Sequence, residues 1–196
     1  MPGFNPTALY IRQPLRQALN RVWDFPLTVV EAPMGYGKTT AVKEFLRDSS
    51  ARVLCHTVAD YSVSGFWLGF CRMLKKIDAD CADRLAKLGV PADSVFMDAA
   101  MELIGGIVFP QRTVIVFDDY HLLSSQNVDR FIELMVKTAP PNLHIIIISR
   151  ATFGENTTEL ALKGFCQVID KSFFELDRGE IIAYYKLCGV RLRPGE

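Results

Sequence analysis

The chain has no net charge: 22 lysines and arginines balance 22 aspartates and glutamates over 196 residues. It therefore carries no global field that would draw DNA, RNA or an anionic membrane. Long apolar runs are missing as well. The longest, such as Ile145 to Ile148, are far too short to cross a bilayer. Met1-Pro2-Gly3-Phe4-Asn5-Pro6 holds no basic segment ahead of an apolar core, so no signal peptide is expected there. Cysteine is sparse. Cys55, Cys71, Cys81, Cys166 and Cys188 are odd in number, widely spaced and without a C-x-x-C pair, so no disulfide framework is expected and a reducing compartment, the cytoplasm, is. Cys55, Cys166 and Cys188 sit in apolar stretches and are expected to be small buried residues. His56, His121 and His144 form no pair at metal-ligand spacing, so no zinc site is expected. Repeats and low-complexity segments are absent too.

What is there is a folding composition: 49% hydrophobic against 22% charged residues, in a length that suits one α/β domain. Residues 1–26 read as an N-terminal lead-in segment with a helix from Gln13 to Trp23, and residues 27–196 as the main domain. From Leu27 on, strand and helix alternate. Strands are expected at Leu27–Ala32, Arg52–Thr57, Thr113–Phe117, Leu143–Ile148 and Phe165–Ile169. Helices are expected at Thr39–Arg47, Val63–Ile77, 80–88, 93–105 and Asn127–Lys137, with Asp177 capping a last one that Gly189 ends. This alternation predicts an α/β fold, a parallel sheet with helices on both faces. In Val63–Ile77 the stripe of Val63, Phe66, Trp67, Phe70, Leu74 and Ile77 has helical spacing and reads as core rather than a nucleotide-stacking face.

The chemistry is concentrated at the ends of the strands. Ala32-Pro33-Met34-Gly35-Tyr36-Gly37-Lys38-Thr39-Thr40 follows the apolar run Leu27 to Val30 and precedes a helix. Gly35 and Gly37 let the backbone curl so that successive N–H groups point inward, and the helix adds its N-terminal dipole at the same point. That makes a phosphate cradle, the Walker A pattern. Lys38 would reach the β- and γ-phosphates of a nucleotide, and the Thr39 hydroxyl would ligate Mg²⁺. Ala32 replaces the usual first glycine, at a place where ordinary strand dihedrals suffice. Val114-Ile115-Val116-Phe117-Asp118-Asp119 is a Walker B pattern, a buried strand ending in two acids at the edge where open α/β sheets bind ligands. Asp118 would hold Mg²⁺ through water, and Asp119 would orient or deprotonate the attacking water. Ile145-Ile146-Ile147-Ile148-Ser149-Arg150 repeats the construction with opposite charge, which places Arg150 to touch the γ-phosphate. His121, just past the acids, is read as a structural hydrogen-bonder, with a sensor residue as the alternative.

Several of these segments together resemble one family. Glu31 to Thr40, then Val116-Phe117-Asp118-Asp119-Tyr120-His121-Leu122-Leu123, then Pro140-Pro141-Asn142-Leu143-His144 leading into Ile148-Ser149-Arg150, and Phe174-Glu175-Leu176 ahead of Asp177, are similar to the nucleotide-binding domain of MalT-like LuxR-family transcriptional regulators, in the STAND class of P-loop ATPases. The resemblance implies a three-layer P-loop NTPase with five parallel strands in the order 5-1-4-3-2. It implies ATP or ADP with Mg²⁺ as ligands, and slow hydrolysis used as a switch. An ADP-bound resting form would give way to an ATP-bound form that self-associates. It further implies that Arg12, with Pro14, belongs to a segment that helps enclose the adenine. Gly35, Tyr36, Gly37, Lys38, Thr39 and Thr40 would hold the phosphates, and Lys38, Asp118, Asp119 and Arg150 would carry the chemistry. DNA would be bound through a C-terminal helix-turn-helix outside this segment, and the segment itself would bind neither nucleic acid nor membrane. The stop after Leu192-Arg193-Pro194-Gly195-Glu196 is accordingly expected to cut a longer regulator. Two departures stand out: Met34 occupies a place usually held by a small residue, and residues 58–62 keep only part of the family's Trp/Asp-rich stretch.

Two other readings differ in what they require. A stand-alone phosphotransferase needs a lid of clustered arginines, and Arg150, Arg178, Arg191 and Arg193 are not clustered in the sequence. A non-hydrolysing nucleotide-binding scaffold would keep Lys38, Thr39 and Asp118 for binding alone.

Overall fold

The computed structural model describes residues 9–190. The first six residues, Arg191, Arg193 and the Leu192–Glu196 end lie outside them. Five strands, β1 (Leu27–Glu31), β2 (Arg52–Thr57), β3 (Thr113–Asp118), β4 (Leu143–Ser149) and β5 (Cys166–Ile169), form one sheet in the order β2-β3-β4-β1-β5, every pair parallel. Read from the other edge this is 5-1-4-3-2, with the Arg150 strand between the two Walker strands.

Successive strand residues face opposite sides. Val30, Val114, Val116, Ile146 and Ile148 therefore pack under α1 (Gln13–Asn20) and α2 (Lys38–Arg47). Val29, Ile115, Phe117, Ile145 and Ile147 join a larger core beneath α3 (Val63–Leu74), α4 (Ala79–Leu88), α5 (Ser94–Gly105) and α6 (Gln126–Thr138). Burial on both faces explains why the central strands read as unbroken apolar runs.

β2 breaks that rule. It is an edge strand, and of its residues only Leu54 is buried, beside α3. Val53, Cys55 and Thr57 point to the other side, beyond the cover of α2, and are exposed. Cys55 is therefore not a buried residue as its apolar neighbours suggest, whereas Cys71, Cys81, Cys166 and Cys188 are buried.

Trp67 is a core residue. It is 2% exposed, packs against Phe70, Phe96 and Phe131 at 5.1–5.5 Å, and donates its indole N–H to the Leu85 carbonyl at 3.3 Å. The chain is tightest at Gly69, where a Cβ would lie 2.1 Å from the His56 ring, so only glycine fits. Two helices are shorter than their apolar stripes. α1 gives way to a 3₁₀ turn at Arg21–Asp24 because Pro26 forces Phe25 into an extended conformation. α3 stops at Leu74 and tightens through Lys76 N–H to Met73 O and Ile77 N–H to Leu74 O, which still seats Ile77 against the core. The six-residue α7 (Thr157–Leu162) is an element the periodicity does not reveal. The last helix, α8 (Arg178–Leu187), starts on the expected capping box of Asp177 and Glu180, and Gly189 follows it with φ +79°.

Two half-buried imidazoles make stability pH-dependent. Burial pushes His56 below its ordinary value, and it does the same to His144 against the opposing hydrogen bond to the Phe25 carbonyl. Below about pH 6.5 the unfolded chain then binds more protons than the folded one, so stability present at neutral pH is lost as pH falls. The midpoint of thermal unfolding is expected to be lower at pH 5.5 than at pH 7.5. An equal or higher midpoint at pH 5.5 would show that these rings do not control the window.

Candidate functional site

The site begins with a missing cap. Helices α3, α4, α5, α6 and α8 each have an N-cap side chain, from Ser62, Asp78, Asp93, Ser125 and Asp177, that accepts a backbone N–H of the first turn. α2 has Gly37 at that position and, like α1 and α7, no side-chain cap. Its first N–H groups are left for an anion, and the helix dipole favours one there. Gly35 and Gly37 sit at φ +86° and +79°, with nothing within 4 Å of where a Cβ would stand. They are required for dihedrals, not for space. Pro33, Met34, Gly35, Tyr36 and Gly37 are exposed, so the cradle opens to solvent.

Lys38 lies under this loop, 8% exposed, and its ammonium donates to the Ala32 and Pro33 carbonyls at 2.6 and 3.0 Å. Burial, and then the charge of Arg150, lower its pKa, while Asp119 and Asp118 pull the other way. The field around Lys38 therefore already contains both Walker B acids and Arg150. An anionic oxygen at the α2 N-terminus would add a further partner for the Lys38 ammonium.

The Walker B strand meets Walker A directly. Thr39 Oγ1 donates to Asp118 Oδ1 at 2.9 Å, and the Asp119 N–H donates to the same oxygen at 3.0 Å. Asp118 is 7% exposed. A hydroxyl and a carboxylate oxygen side by side are hard donors that fit Mg²⁺. Among the described residues no group of three His, Cys, Asp or Glu side chains is placed to hold a metal ion.

Asp119 sits in the left-handed region, φ 54° and ψ 33°, a conformation that aspartate and asparagine tolerate better than most residues. It stands at the start of the Tyr120–Leu122 turn without capping it through its side chain, which is 46% exposed and free to face a ligand. His121 departs from expectation. Its Nδ1 is buried without a hydrogen-bond partner among the described residues and lies 4.0 Å from Asp119 Oδ1, so it is not a structural hydrogen-bonder through that atom. Burial, followed by Arg150, lowers its pKa. Arg150 is exposed just past β4, whose end is paired through Ser149 with Glu31, the residue that leads into the P-loop. Thr40 is exposed on the first turn of α2.

On the far side of the P-loop a cleft of about 530 Å³ runs from Gly35, Tyr36 and Gly37 to Arg12 and Tyr184, which is ample for a base and ribose. Arg12 does line it, but its guanidinium is engaged elsewhere: Nε donates to Glu180 at 2.8 Å and Nη1 to the Ser172 carbonyl at 2.9 Å. Sequence reasoning found Glu180 only as a helix cap. Its second partner lies 168 residues away, and no local pattern signals that.

No protein-family model matches the chain. It is similar to HTH-type transcriptional regulators MalT, with 26% identity over 170 residues for that of Vibrio parahaemolyticus serotype O3:K6 (82% of this chain, 18% of the relative). For MalT of Yersinia enterocolitica the figures are 26% over 152 residues, 71% and 16%. The chain thus spans less than a fifth of the length of these relatives. Among solved structures it is similar to the STAND protein with a tetratricopeptide repeat sensor PH0952 from Pyrococcus horikoshii, with a TM-score of 0.63, 13% identity and coverage of 94% of this chain and 26% of that one. It is also similar to the Walker-type ATPase PABY2304 of Pyrococcus abyssi, with a TM-score of 0.53, 11% identity and coverage of 98% and 63%. At these identities the structures bear on the fold alone.

Proposed function

We propose that this chain, a MalT-like P-loop NTPase domain, is the ATP-binding switch of a transcriptional regulator, and that it hydrolyses ATP slowly. The observation that carries the reading is the uncapped N-terminus of α2 with Lys38 beneath it and the Thr39–Asp118 pair beside it. Lys38 holds the β- and γ-phosphates. Thr39 and Asp118 hold Mg²⁺, which screens the phosphate charge when bound. Asp119 orients the attacking water, and Arg150 stabilises charge on the γ-phosphate. Gly35 to Thr40 supply the backbone cradle, and the cleft beside Arg12 takes the base.

Exchange of ADP for ATP would then change self-association, with DNA read by a helix-turn-helix elsewhere in the regulator and the whole working in the cytoplasm. The similarity to HTH-type transcriptional regulators supports that assignment. None of the described helices is long and apolar enough to cross a membrane. Single-turnover hydrolysis of ATP tests the catalytic part. The expected rate is that of unassisted P-loop switches, about 10⁻⁴–10⁻² s⁻¹. Rapid phosphoryl transfer to a small alcohol would make the chain a phosphotransferase, and bound ATP that is never cleaved would make it a scaffold.

A further inference from the structure

α8 is weakly held. None of its own residues is buried, and Ile181, Tyr185 and Leu187 are 40–50% exposed. A polar pair ties it to the rest of the domain. Glu180 accepts from Arg12 Nε at 2.8 Å while also accepting the Asp177 backbone N–H at 2.9 Å. Both side chains of the pair are 17% exposed, so the pair is partly shielded from solvent and salt. The hydrogen bond from Arg12 is the first cause of the lowered Glu180 pKa, which keeps the carboxylate charged near neutrality. Arg12 also reaches the Ser172 carbonyl, in the 3₁₀ turn Lys171–Phe173 that precedes α8. One side chain from the segment before α1 therefore clips down two consecutive elements from the other end of the described chain.

The clip lies on the cleft. Arg12 and Tyr184 line one wall and Gly35 to Gly37 the other. A ligand whose phosphates sit on the P-loop and whose base enters this cleft would meet both Arg12 and Tyr184, the residue of α8 that lines it.

From this geometry we infer that Glu180 is a positioning residue for the nucleotide: by holding Arg12 it fixes α8 against the base cleft, so that cleft occupancy and α8 docking are one linked equilibrium. The inference rests on the proposed nucleotide site. Linkage then requires reciprocity: nucleotide holds α8 down to the degree that docked α8 tightens nucleotide.

The test separates the clip from the cap. Glu180→Gln keeps an acceptor for the Asp177 N–H, since glutamine also completes a capping box, but removes the charge that Arg12 pairs with. Asp177→Ala removes the cap side chain and leaves the Arg12–Glu180 pair. Both variants and the unaltered chain are titrated with Mg²⁺·ADP, and amide exchange of α8 is followed with and without it. In the unaltered chain Mg²⁺·ADP should slow α8 exchange. Glu180→Gln should weaken Mg²⁺·ADP by about three- to tenfold and abolish that added protection. Asp177→Ala should retain the affinity and the added protection despite faster basal exchange. Equal affinity and equal added protection in Glu180→Gln would overturn the inference while leaving the nucleotide site standing. Equal losses in both variants would reduce Glu180 to a helix cap. No binding by the unaltered, folded chain would overturn the site reading itself, and this inference with it.

Discussion

Replacing Lys38 with alanine is expected to weaken nucleotide binding at least about 100-fold without unfolding the chain. The ammonium is seated under the P-loop, against the Ala32 and Pro33 carbonyls. Turned to two phosphate oxygens, it would make two charge-assisted bonds worth about 1.5–3 kcal/mol each, which is two or more decades of affinity. The fold should tolerate the loss. Lys38 is buried with its pKa lowered, so alanine removes a desolvated charge rather than a packed apolar group. Pro33 stands in the exposed loop, where water replaces the donor at its carbonyl, and the buried Ala32 carbonyl loses its partner at a cost of about 1–3 kcal/mol, too little to unfold a typical domain. The check is a nucleotide titration beside a thermal melt. A variant that melts normally and still binds within about threefold would remove Lys38 from the site.

The second large effect is expected at Asp118. Asparagine there keeps an oxygen for Thr39 Oγ1 and the Asp119 N–H but loses the negative charge. Nucleotide should still bind through the P-loop, and its affinity should cease to depend on Mg²⁺. Hydrolysis should fall by about 10²–10³, the usual cost of removing one preorganised electrostatic contact to the reacting group. Asp119→Asn makes the contrast. Asparagine tolerates the left-handed backbone as well as aspartate does, so fold and Mg²⁺-dependent binding should persist while hydrolysis drops. Mg²⁺-dependent binding that survives in Asp118→Asn would show that the cation is held elsewhere.

The parts that were readable in advance are those written locally. The P-loop declares itself because its two glycines, its lysine and its threonine act within one turn of chain. The Walker B strand does so because burial on both faces demands an unbroken apolar run up to Asp118. The capping box of α8 lies within four residues. The order of the strands came through the family resemblance, since parallel strands joined by long crossovers carry no pairing signal of their own.

What stayed hidden depends on distant chain. Cys55 looks buried among Val53 and Leu54, but exposure at an edge strand is decided by how far α2 extends, and the residues of β2 do not encode that. α7 is six residues long with no side-chain cap at Asn156, too short to show a period. His121 follows the acids as a hydrogen-bonder would, yet the ring turns Nδ1 into a place with no partner among the described residues. Glu180 carries a complete local explanation as a cap, which conceals its bond to Arg12.

The measurement closest to the central claim is calorimetric titration of the folded chain with Mg²⁺·ATP and Mg²⁺·ADP. The account predicts one nucleotide bound per chain for each ligand, with binding weakened when Mg²⁺ is chelated. A chain that is folded by circular dichroism and takes up neither nucleotide would contradict it.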